Sequence, residues 1–208
     1  MFERFSRAYP GDLHGNSPVD AEALASFSRE ALGVQTPAEL LLFWRNVGSG
    51  YFGDRILYFF GDGAQAMPRD SYQQWNTKNF WRDVYPPPDQ GGPVFFAETC
   101  FGDQLGFRWE QSSLVFVLFS VDTFEAFRVA ENGNELFDVL LASQDSLIDD
   151  GRYRATRERL GFLRDGMHYA PLLSPLVGGS GAADNMCLET ANVHFRTAIA
   201  TYQAIHLP

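Results

Sequence analysis

The chain has 208 residues, of which 45% are apolar and 15% aromatic, and this is enough to build a sizeable hydrophobic core. Its 16 basic and 26 acidic residues leave a formal net charge of -10, which disfavours nucleic acids and anionic membranes as partners because both are polyanions. The same charge favours a basic partner, although an acidic balance is also common in proteins that only need to stay in solution.

The first 35 residues predict a loosely packed lead-in and one helix. Residues 1–18 are interrupted by prolines and glycines, so we expect no regular structure there. They also contain charged side chains and no uninterrupted apolar run, which argues against a secretory signal. Asp20 precedes a weak helical stripe of apolar residues and is placed to cap a helix that Gly33 ends.

The next segment, TPAELLLFWRNVG, predicts a better-specified helix. Thr36 is placed as its N-cap, Pro37 as its first helical residue, and Glu39 stands three residues after the cap. These residue types at this spacing predict a capping box. Leu40 and Trp44 fall on the same face of the predicted helix, which we expect to be buried.

Between this helix and the centre of the chain we expect a strand, a short helix and a connector. Residues 56–60 are apolar and bounded by glycine and aspartate, which predicts a strand. Residues 72–81 are rich in aromatic side chains and predict a short helix, although their asparagines weaken it. The prolines at 86–88 predict a stiff spacer, because the flanking residues of a proline-recognition motif are absent from the sequence.

The stretch 93–130 is predicted to form the sheet around which the chain is organised. Its apolar runs are separated by polar or glycine turn signals, which is typical of an antiparallel meander. Leu105, Phe107 and Trp109 alternate with polar or small residues, so we expect that strand to bury one face and expose the other. Residues 114–119 show no alternation, and we expect them at the centre of the sheet, covered on both faces.

Beyond the meander the sequence predicts helices. Residues 132–143 predict an amphipathic helix, residues 153–163 a second helix, and residues 188–205 a last helix that follows a proline- and glycine-rich loop. We expect the arginines of the second helix to form a solvated face that offsets the neighbouring aspartates. The residues concerned are Arg152, Arg154, Arg157 and Arg159, with Asp149 and Asp150.

These elements predict one α+β domain spanning residues 1–208, with a twisted, largely antiparallel sheet of about four to six strands flanked by helices. The lead-in and first helix occupy residues 1–35. The sheet core occupies residues 36–143, and a helical C-terminal extension occupies residues 144–208. No window approaches the roughly 18 apolar residues of a membrane span, so we expect a cytoplasmic protein.

The motifs that could carry chemistry favour structural interpretations. Gly48, Gly50 and Gly53 match GxGxxG, but they follow a helix and precede a strand, which reverses the order that dinucleotide binding needs, so we expect a helix stop and a hairpin turn. Cys100 and Cys187 form no CxxC pair and are expected to be buried free thiols. We therefore predict no metal, no cofactor and no catalytic residues.

The histidines are scattered along the chain, at His14, His168, His194 and His206. Their spacing is not that of metal ligands on one helix face, so we expect ordinary surface or capping positions. Asp103 is the acid of most interest. Its neighbours Gly102 and Gly106 predict a tight hairpin turn, in which an aspartate normally bonds its own backbone.

Two segments of the sheet region resemble the SUKH superfamily (Smi/Knr-like). The first, TPAELLLFWRNVGSGYFGDRILYFFG, is similar to the family's opening, in which a proline-started helix ending near Asn-Gly leads into the first strands. The matching positions are Pro37, Phe43, Asn46 and Gly48. This chain has Asn-Val-Gly where many relatives have Asn-Gly, which shifts the first turn by a residue.

The second segment, FFAETCFGDQLGFRWEQSSLVFVLFSVDTFEAFRVAENGNELFDVLL, is similar to the family's order of strands, turn and helix. Gly102 and Asp103 hold the positions of its Gly-Asp turn. The C-terminal part looks like the tail of the GAD-like branch of this group, with Gly178 and Gly179 at the paired glycines and His194 in the last helix. The resemblance covers residues 36–202.

The resemblance implies a bacterial immunity protein that binds and neutralises a secreted polymorphic toxin, delivered by contact or by a type VI system. Such proteins have no catalytic residues and act by occluding the toxin's active site. The charge of -10 fits a basic toxin such as a nuclease, because opposite charges speed association. We expect the binding surface to use acidic and aromatic loop residues, namely Asp54, Asp62, Trp75 and Asp103.

Two other classes of function remain open from the sequence. A protein-interaction or regulatory module of the same fold would serve a housekeeping partner. An enzyme or small-molecule sensor would need a concave pocket with converging polar groups and shifted pKa values.

Overall fold

The computed structural model describes residues 2–11, 17–63, 69–77, 88–142 and 148–206. Within these ranges the chain forms seven α-helices, a six-stranded sheet and a separate two-stranded sheet. All strand pairs are antiparallel. The predicted α+β class, with an antiparallel sheet flanked by helices, is confirmed.

The helices are α1 (Phe2–Ala8), α2 (Ala21–Ala31), α3 (Ala38–Asn46), α4 (Tyr72–Thr77), α5 (Gly133–Ala142), α6 (Asp150–Leu160) and α7 (Ala191–His206). The large sheet contains β1 (Gly50–Phe52), β2 (Leu57–Phe59), β3 (Val94–Thr99), β4 (Gln104–Glu110), β5 (Ser113–Phe119) and β6 (Ala126–Ala130), in that spatial order. The small sheet pairs β7 (Met167–Pro171) with β8 (Met186–Thr190).

The meander predicted over residues 93–130 is present, but its centre lies elsewhere than expected. Residues 114–119 belong to β5, which neighbours the edge strand β6 and begins at an exposed Ser113. The middle of the sheet is β3 and β4, and every residue of β3 is buried. The reason is that strands β1 and β2 add to the other side of β3, which moves the centre of the sheet toward the N-terminus of the meander.

The predicted alternation along β4 is wrong for the first half of the strand. Residues 104–107 are buried on both faces, because Gln104 lies under α4 and accepts a hydrogen bond from the indole N–H of Trp75 at 2.8 Å. Trp109, which was expected inside, is 36% exposed.

Within the N-terminal lead-in, Phe2–Ala8 form a helix that belongs to the core, which corrects the prediction for this part of residues 1–18. The Phe5 side chain of α1 is fully buried and packs edge-on against Phe43 and Phe59, with ring centroids 5.1 and 5.8 Å away. Tyr9 stacks on Phe5 at 5.2 Å. Phe2, Phe5 and Tyr9 recur every three or four residues, the spacing of one helix face.

The opposite face of the sheet is covered by α4 and α7. Trp75 of α4 stacks on Phe60 at 5.7 Å and meets Phe195 of α7 edge-on at 5.4 Å. Phe195 also lies 6.1 Å from Phe119 of β5. The sheet is therefore packed between helices on both faces, and most of the buried apolar side chains of the described residues form one cluster that extends from Phe5 to Ile199.

The helix caps confirm one prediction and correct another. Asp20 caps α2 by accepting a hydrogen bond from the Ala23 amide at 3.0 Å. The predicted capping box at α3 is wrong, because Pro37 has a ψ of 138° and is itself the N-cap. Thr36 therefore lies one residue before the cap.

The glycine-rich stretch forms the predicted hairpin, because Gly53 lies in the turn between β1 and β2.

The C-terminal extension is not purely helical, because β7 and β8 form a hairpin where a loop and part of the last helix were expected. The last helix starts at Ala191 instead of residue 188.

The short helix predicted over residues 72–81 is present as far as Thr77. Residues 78–87, which include two of the spacer prolines, and His14 lie outside the described residues.

Candidate functional site

A buried carboxylate lies at the middle of the large sheet. Glu98 of β3 is inaccessible to solvent and accepts hydrogen bonds from the Arg69 guanidinium and from Gln104 Nε2, the latter at 3.0 Å. A buried charge without partners costs several kcal/mol, so Glu98 can be ionised there only because Arg69 and Gln104 surround it. Gln104 is held in turn by Trp75.

Arg69 connects Glu98 to the C-terminal hairpin. Its Nε donates to the Tyr51 hydroxyl at 3.2 Å, and its Nη2 donates to the Met167 carbonyl at 3.2 Å. Its Nη1 lies 2.9 Å from His168 Nε2. Because a guanidinium has donors and no acceptor, a hydrogen bond between the two uses His168 Nε2 as the acceptor, and the same nitrogen lies 3.4 Å from Glu98 Oε2.

His168 of β7 in turn meets His194 of α7. Their Nδ1 atoms are 3.2 Å apart and both rings are buried. Burial and the Arg69 charge hold the pKa of His168 well below its usual range, and burial with His168 beside it does the same for the pKa of His194. Both imidazoles are therefore neutral at neutral pH.

The Gly-Asp turn makes room for this pair. A Cβ on Gly102 would lie 2.9 Å from His168 Nδ1 and 3.0 Å from His194 Nδ1, and Gly102 has a φ of +90°. Only glycine satisfies both conditions without strain. The same turn is tied to β7 by a hydrogen bond from the Tyr169 amide to the Cys100 carbonyl at 2.9 Å.

The expectation of scattered surface or capping histidines is therefore wrong for His168 and His194. The sequence carried no signal of their contact, because it forms only when α7 packs against the β7–β8 hairpin. His206 lies at the end of α7, with Nδ1 3.0 Å from the Tyr202 carbonyl. Within the described ranges, no group of three or more histidine, cysteine or acidic side chains could hold a metal ion.

Asp103 was predicted to bond the backbone of its own turn. Its side chain instead reaches the β5–β6 connection. Its Oδ1 accepts a hydrogen bond from the Val121 amide at 3.0 Å. Burial, with the charge of Asp122 as a second cause, raises the pKa of Asp103 to about 6. Arg152 of α6 lies 3.4 Å from Asp122 and over the ring of Phe101 at 4.0 Å.

The structure does not bring the four predicted partner-binding residues together. Trp75 is 1% exposed and belongs to the core, and Asp103 is mostly buried, so neither offers its side chain to a partner. Asp54, in the β1–β2 turn, is 66% exposed and pairs with Arg157 at 2.9 Å. Asp62 accepts a hydrogen bond from the Asp20 amide at 2.8 Å, close to the start of α2.

Most of the arginines of α6 contact other elements of the fold, which corrects the prediction that they form a solvated face. Arg152 and Arg157 reach Asp122 and Asp54 on the sheet, and Arg159 donates to the carbonyl of Met186 at 2.9 Å. Arg154 alone among them behaves as expected, pairing with Asp150 one turn away. The reason is that α6 lies between the large sheet and the small one.

Two cavities flank the buried network. The Arg69 cavity has a volume of about 280 Å³ and is lined by Arg69, Glu98 and Trp75 together with Asp70 and Asp165. The His194 cavity has a volume of about 190 Å³ and lies on the far side of the histidine pair. Its lining includes Val121, Asp122, Leu173, Val177, His194 and Ala198.

The most exposed apolar side chains lie beside the His194 cavity, on the loop of residues 172–185 between β7 and β8. Leu172 is 65% exposed, and Leu173 and Val177 are each 51% exposed. Large apolar side chains that cluster on a surface mark interaction sites more often than isolated ones do. No prediction from sequence included them, although a Leu-Leu pair in a proline- and glycine-rich loop is a visible signal.

The loop of residues 172–185 is held in one conformation by its own hydrogen bonds. Asn185 Nδ2 donates to the carbonyls of Leu173 at 2.8 Å and Ser180 at 2.7 Å, and Asn185 Oδ1 accepts from the Leu173 amide at 3.0 Å. A Cβ on Gly179 would lie 1.7 Å from the Leu173 carbonyl oxygen, so the loop closes only over a glycine. Gly178 has a left-handed φ of 92°.

The cysteines are free thiols with different surroundings. Cys100 is buried in the β3–β4 turn and Cys187 of β8 is partly exposed. Burial raises the pKa of both thiols above the usual range, which lowers the fraction of reactive thiolate.

Across the part of the chain that the structure describes, no helix combines the length and the apolar character that crossing a membrane requires. Comparison with protein families finds no matching family model. Comparison with curated proteins finds no match either.

Among solved structures, the chain is similar to the crystal structure of Atu4351 from Agrobacterium tumefaciens, with a TM-score of 0.67 and 15% sequence identity. The match covers 96% of this chain and 88% of that one. At this identity the likeness concerns the fold. The resemblance to the SUKH superfamily gains no support from these comparisons and stays a hypothesis, whereas the arrangement of helices and strands described above recurs over nearly the whole length of another protein.

Proposed function

We propose that this chain is a bacterial immunity protein, which binds and neutralises a basic secreted toxin without catalysing a reaction. The observation that carries the proposal is the loop of residues 172–185, which presents Leu172, Leu173 and Val177 to solvent on a rigid backbone. Binding through a segment that is already ordered loses little conformational entropy, so such a loop is suited to tight association.

The charge of the molecule supports a basic partner. A net charge of -10 attracts a cationic protein over distances of about 10 Å at moderate salt. Electrostatic attraction of this kind raises association rates and can bring them toward roughly 10⁸ per molar per second. Rapid capture matters for an immunity protein, since a toxin acts from the moment it is free.

The buried network around Arg69 supports a role in binding a protein over a role in catalysis. Arg69 uses its Nε, Nη1 and Nη2 atoms on Tyr51, Glu98, His168 and Met167. A guanidinium engaged in this way holds β1, β3 and β7 in register and has little capacity left for a substrate in the Arg69 cavity.

The proposal is tested by co-expression with the toxin encoded by the neighbouring gene. We expect the chain to restore growth and to form a complex with the toxin that elutes as one species in size-exclusion chromatography. If growth is not restored and no complex forms, the function is rejected.

A pair of matched substitutions tests the surface. Leu172→Lys places a positive charge in the loop and should weaken toxin binding by about tenfold or more, as loss of a central interface residue does. Phe127→Lys, at a side chain that is 49% exposed on the edge strand β6, is the control and should leave the affinity unchanged. Equal affinities for the wild type and Leu172→Lys would remove this loop from the interface.

A further inference from the structure

One edge of the large sheet is covered by the chain itself and the other is open. Alongside β1, the Gly53 amide donates to the Pro10 carbonyl at 2.9 Å, and Ser17 and Ser49 exchange two backbone hydrogen bonds of 3.1 Å. At the other edge, β6 pairs with β5 and with no other strand of the described residues. An open edge presents unpaired N–H and C=O groups to which another strand can bind.

The register with β5 shows which backbone groups of β6 are unpaired. The Ser120 amide donates to the Glu125 carbonyl at 2.9 Å, so the backbone groups of Glu125 face β5. Because this direction alternates along an antiparallel pair, the groups of Phe127 also face β5, and those of Ala126 and Arg128 point away from it. Among the described residues, no hydrogen bond reaches these outward N–H and C=O groups.

Phe127, between these two residues, puts an exposed ring at the open edge. It is 49% exposed, more than any other phenylalanine, tyrosine or tryptophan in the described ranges. Its neighbour on β5, Leu118, is partly exposed as well. The Arg128 side chain lies on the other face of the strand, where it pairs with Glu110 at 2.5 Å and with Glu131 at 3.2 Å. The edge therefore combines free backbone donors and acceptors with an apolar side chain, as edges that bind an added strand do.

We propose that the open edge of β6 pairs with the same edge of a second copy of this chain, which joins two six-stranded sheets into one. The two-fold axis passes beside Phe127. Ala126 of each copy is then opposite Arg128 of the partner subunit, and each such pair exchanges two hydrogen bonds. Phe127 is opposite Phe127 of the partner subunit, with Cα atoms about 4.5 Å apart, where the two rings cover each other.

The sequence of β6 favours this register over its neighbours. A shift in one direction sets Arg128 opposite Arg128 of the partner subunit, and like charges directly opposite destabilise a sheet. A shift in the other direction sets Arg128 opposite Phe124, which has a left-handed φ of 59° and precedes the strand. With the axis at Phe127, Arg128 is opposite an alanine whose neighbour is Glu125, so the nearer charges across the interface are of opposite sign.

The covered edge at β1 limits the assembly to two copies. A dimer joined through β6 has no second open edge of the large sheet among the described residues, so the pairing closes and no fibre grows. Because β6 has only five residues, the interface is small. We expect reversible association with a Kd on the order of 10–100 µM, which is typical of small, transient interfaces.

Sedimentation velocity of the whole chain between about 10 µM and about 1 mM measures the dimer. The mass should rise from 23.4 kDa toward twice that value. Ala126→Pro removes an outward N–H without touching the bonds to β5, so circular dichroism should be unchanged while the Kd rises about tenfold or more. Ala126→Ser keeps the N–H and should dimerise as the wild type does.

Cysteine variants test the register. Phe127→Cys brings two Cα atoms to about 4.5 Å across the axis, a separation that a disulfide spans, so oxidised glutathione should link the two copies. Arg128→Cys places its two Cα atoms diagonally, about 8 Å apart, and should be linked at least about tenfold more slowly. The wild type, with Cys100 and Cys187, gives the background rate.

The dimer does not rest on the proposed function, and the two can fail separately. A monomer at every concentration, or equal linking of Phe127→Cys and Arg128→Cys, overturns the dimer and leaves the proposed function intact. If the chain stays monomeric and Ala126→Pro weakens the toxin complex, the edge binds a strand of the toxin in place of a second copy, which also overturns the dimer. If no toxin binds, sedimentation and linking still decide whether β6 pairs with itself.

Discussion

At the scale of single residues, the Gly-Asp turn between β3 and β4 shows how one short motif serves two separate contacts. Gly102 lacks a side chain where His168 and His194 meet, and Asp103 reaches the Val121 amide of the β5–β6 connection. The turn was recognisable in the sequence. Its contacts were not, because they join segments that lie far apart along the chain.

The raised pKa of Asp103 predicts a stability that depends on pH. An aspartate in an unfolded chain has a pKa of about 3.9, and in the folded protein that of Asp103 is about 6. Between these values the folded state binds the proton more tightly, so the free energy of unfolding falls as the pH rises from about 4 to 6 and is level above that. The loss is about 1–3 kcal/mol for a mostly buried group.

Asp103→Asn should remove this dependence while its side-chain oxygen still accepts the Val121 hydrogen bond. As the pH rises from 4.5 to 7, the free energy of unfolding of the variant should therefore increase by about 1–3 kcal/mol relative to that of the wild type, as measured by urea unfolding at each pH. Asp138→Asn, at an exposed position on α5, is the control and should run parallel to the wild type. Parallel curves for Asp103→Asn would contradict the raised pKa.

At the scale of elements, local patterns predicted most strands and helices, and the failures have a common cause. Asp20 predicted the start of α2, and the apolar runs predicted β2 to β6, because caps and turn residues act within a few positions of the chain. The burial of β3 and the hairpin of β7 and β8 depend on which elements cover them. Such coverage is set by tertiary packing, and no local pattern records it.

The N-terminal helix α1 shows the limit of prediction from local sequence patterns. Prolines and glycines after residue 9 favoured an unstructured lead-in, yet Phe5 at 0% exposure joins α1 to the aromatic rings of α3 and β2. A helix of this length is marginal in isolation, and packing of its aromatic face provides the stability.

The loop of residues 172–185 predicts a contrast between neighbouring glycines. Gly179→Ala should force the loop open, because the new methyl group would collide with the Leu173 carbonyl, and the loop should become sensitive to limited proteolysis without loss of the fold. Gly181 has open space around its Cα, so Gly181→Ala should be cleaved no faster than the wild type. Equal cleavage of the two variants would show that the loop does not depend on the close approach at Gly179.

At the scale of the whole molecule, the small sheet and α6 are fastened to the large sheet by polar contacts as well as by the core. Arg55 in the β1–β2 turn donates to the Leu163 carbonyl at 2.9 Å and pairs with Asp165 at 2.6 Å. Arg157 pairs with Asp54 from the other side. The apolar cluster continues through both parts without interruption.

This continuity predicts one cooperative unfolding transition. Tryptophan fluorescence, which reports on Trp44 and Trp75 in the core, and far-UV circular dichroism should give the same midpoint in urea. If residues 148–206 formed an independent unit, the dichroism curve and the fluorescence curve would separate, which would contradict the prediction.

The exposed leucines of the loop of residues 172–185 also bear on how the free protein behaves at high concentration. Uncovered apolar side chains promote self-association, and here mutual repulsion between molecules of charge -10 opposes it. That repulsion disappears near the isoelectric point of about 4.7. Mild acidification or high salt should therefore make the unbound chain cluster through these leucines, whereas a partner seated on them would keep the complex dispersed.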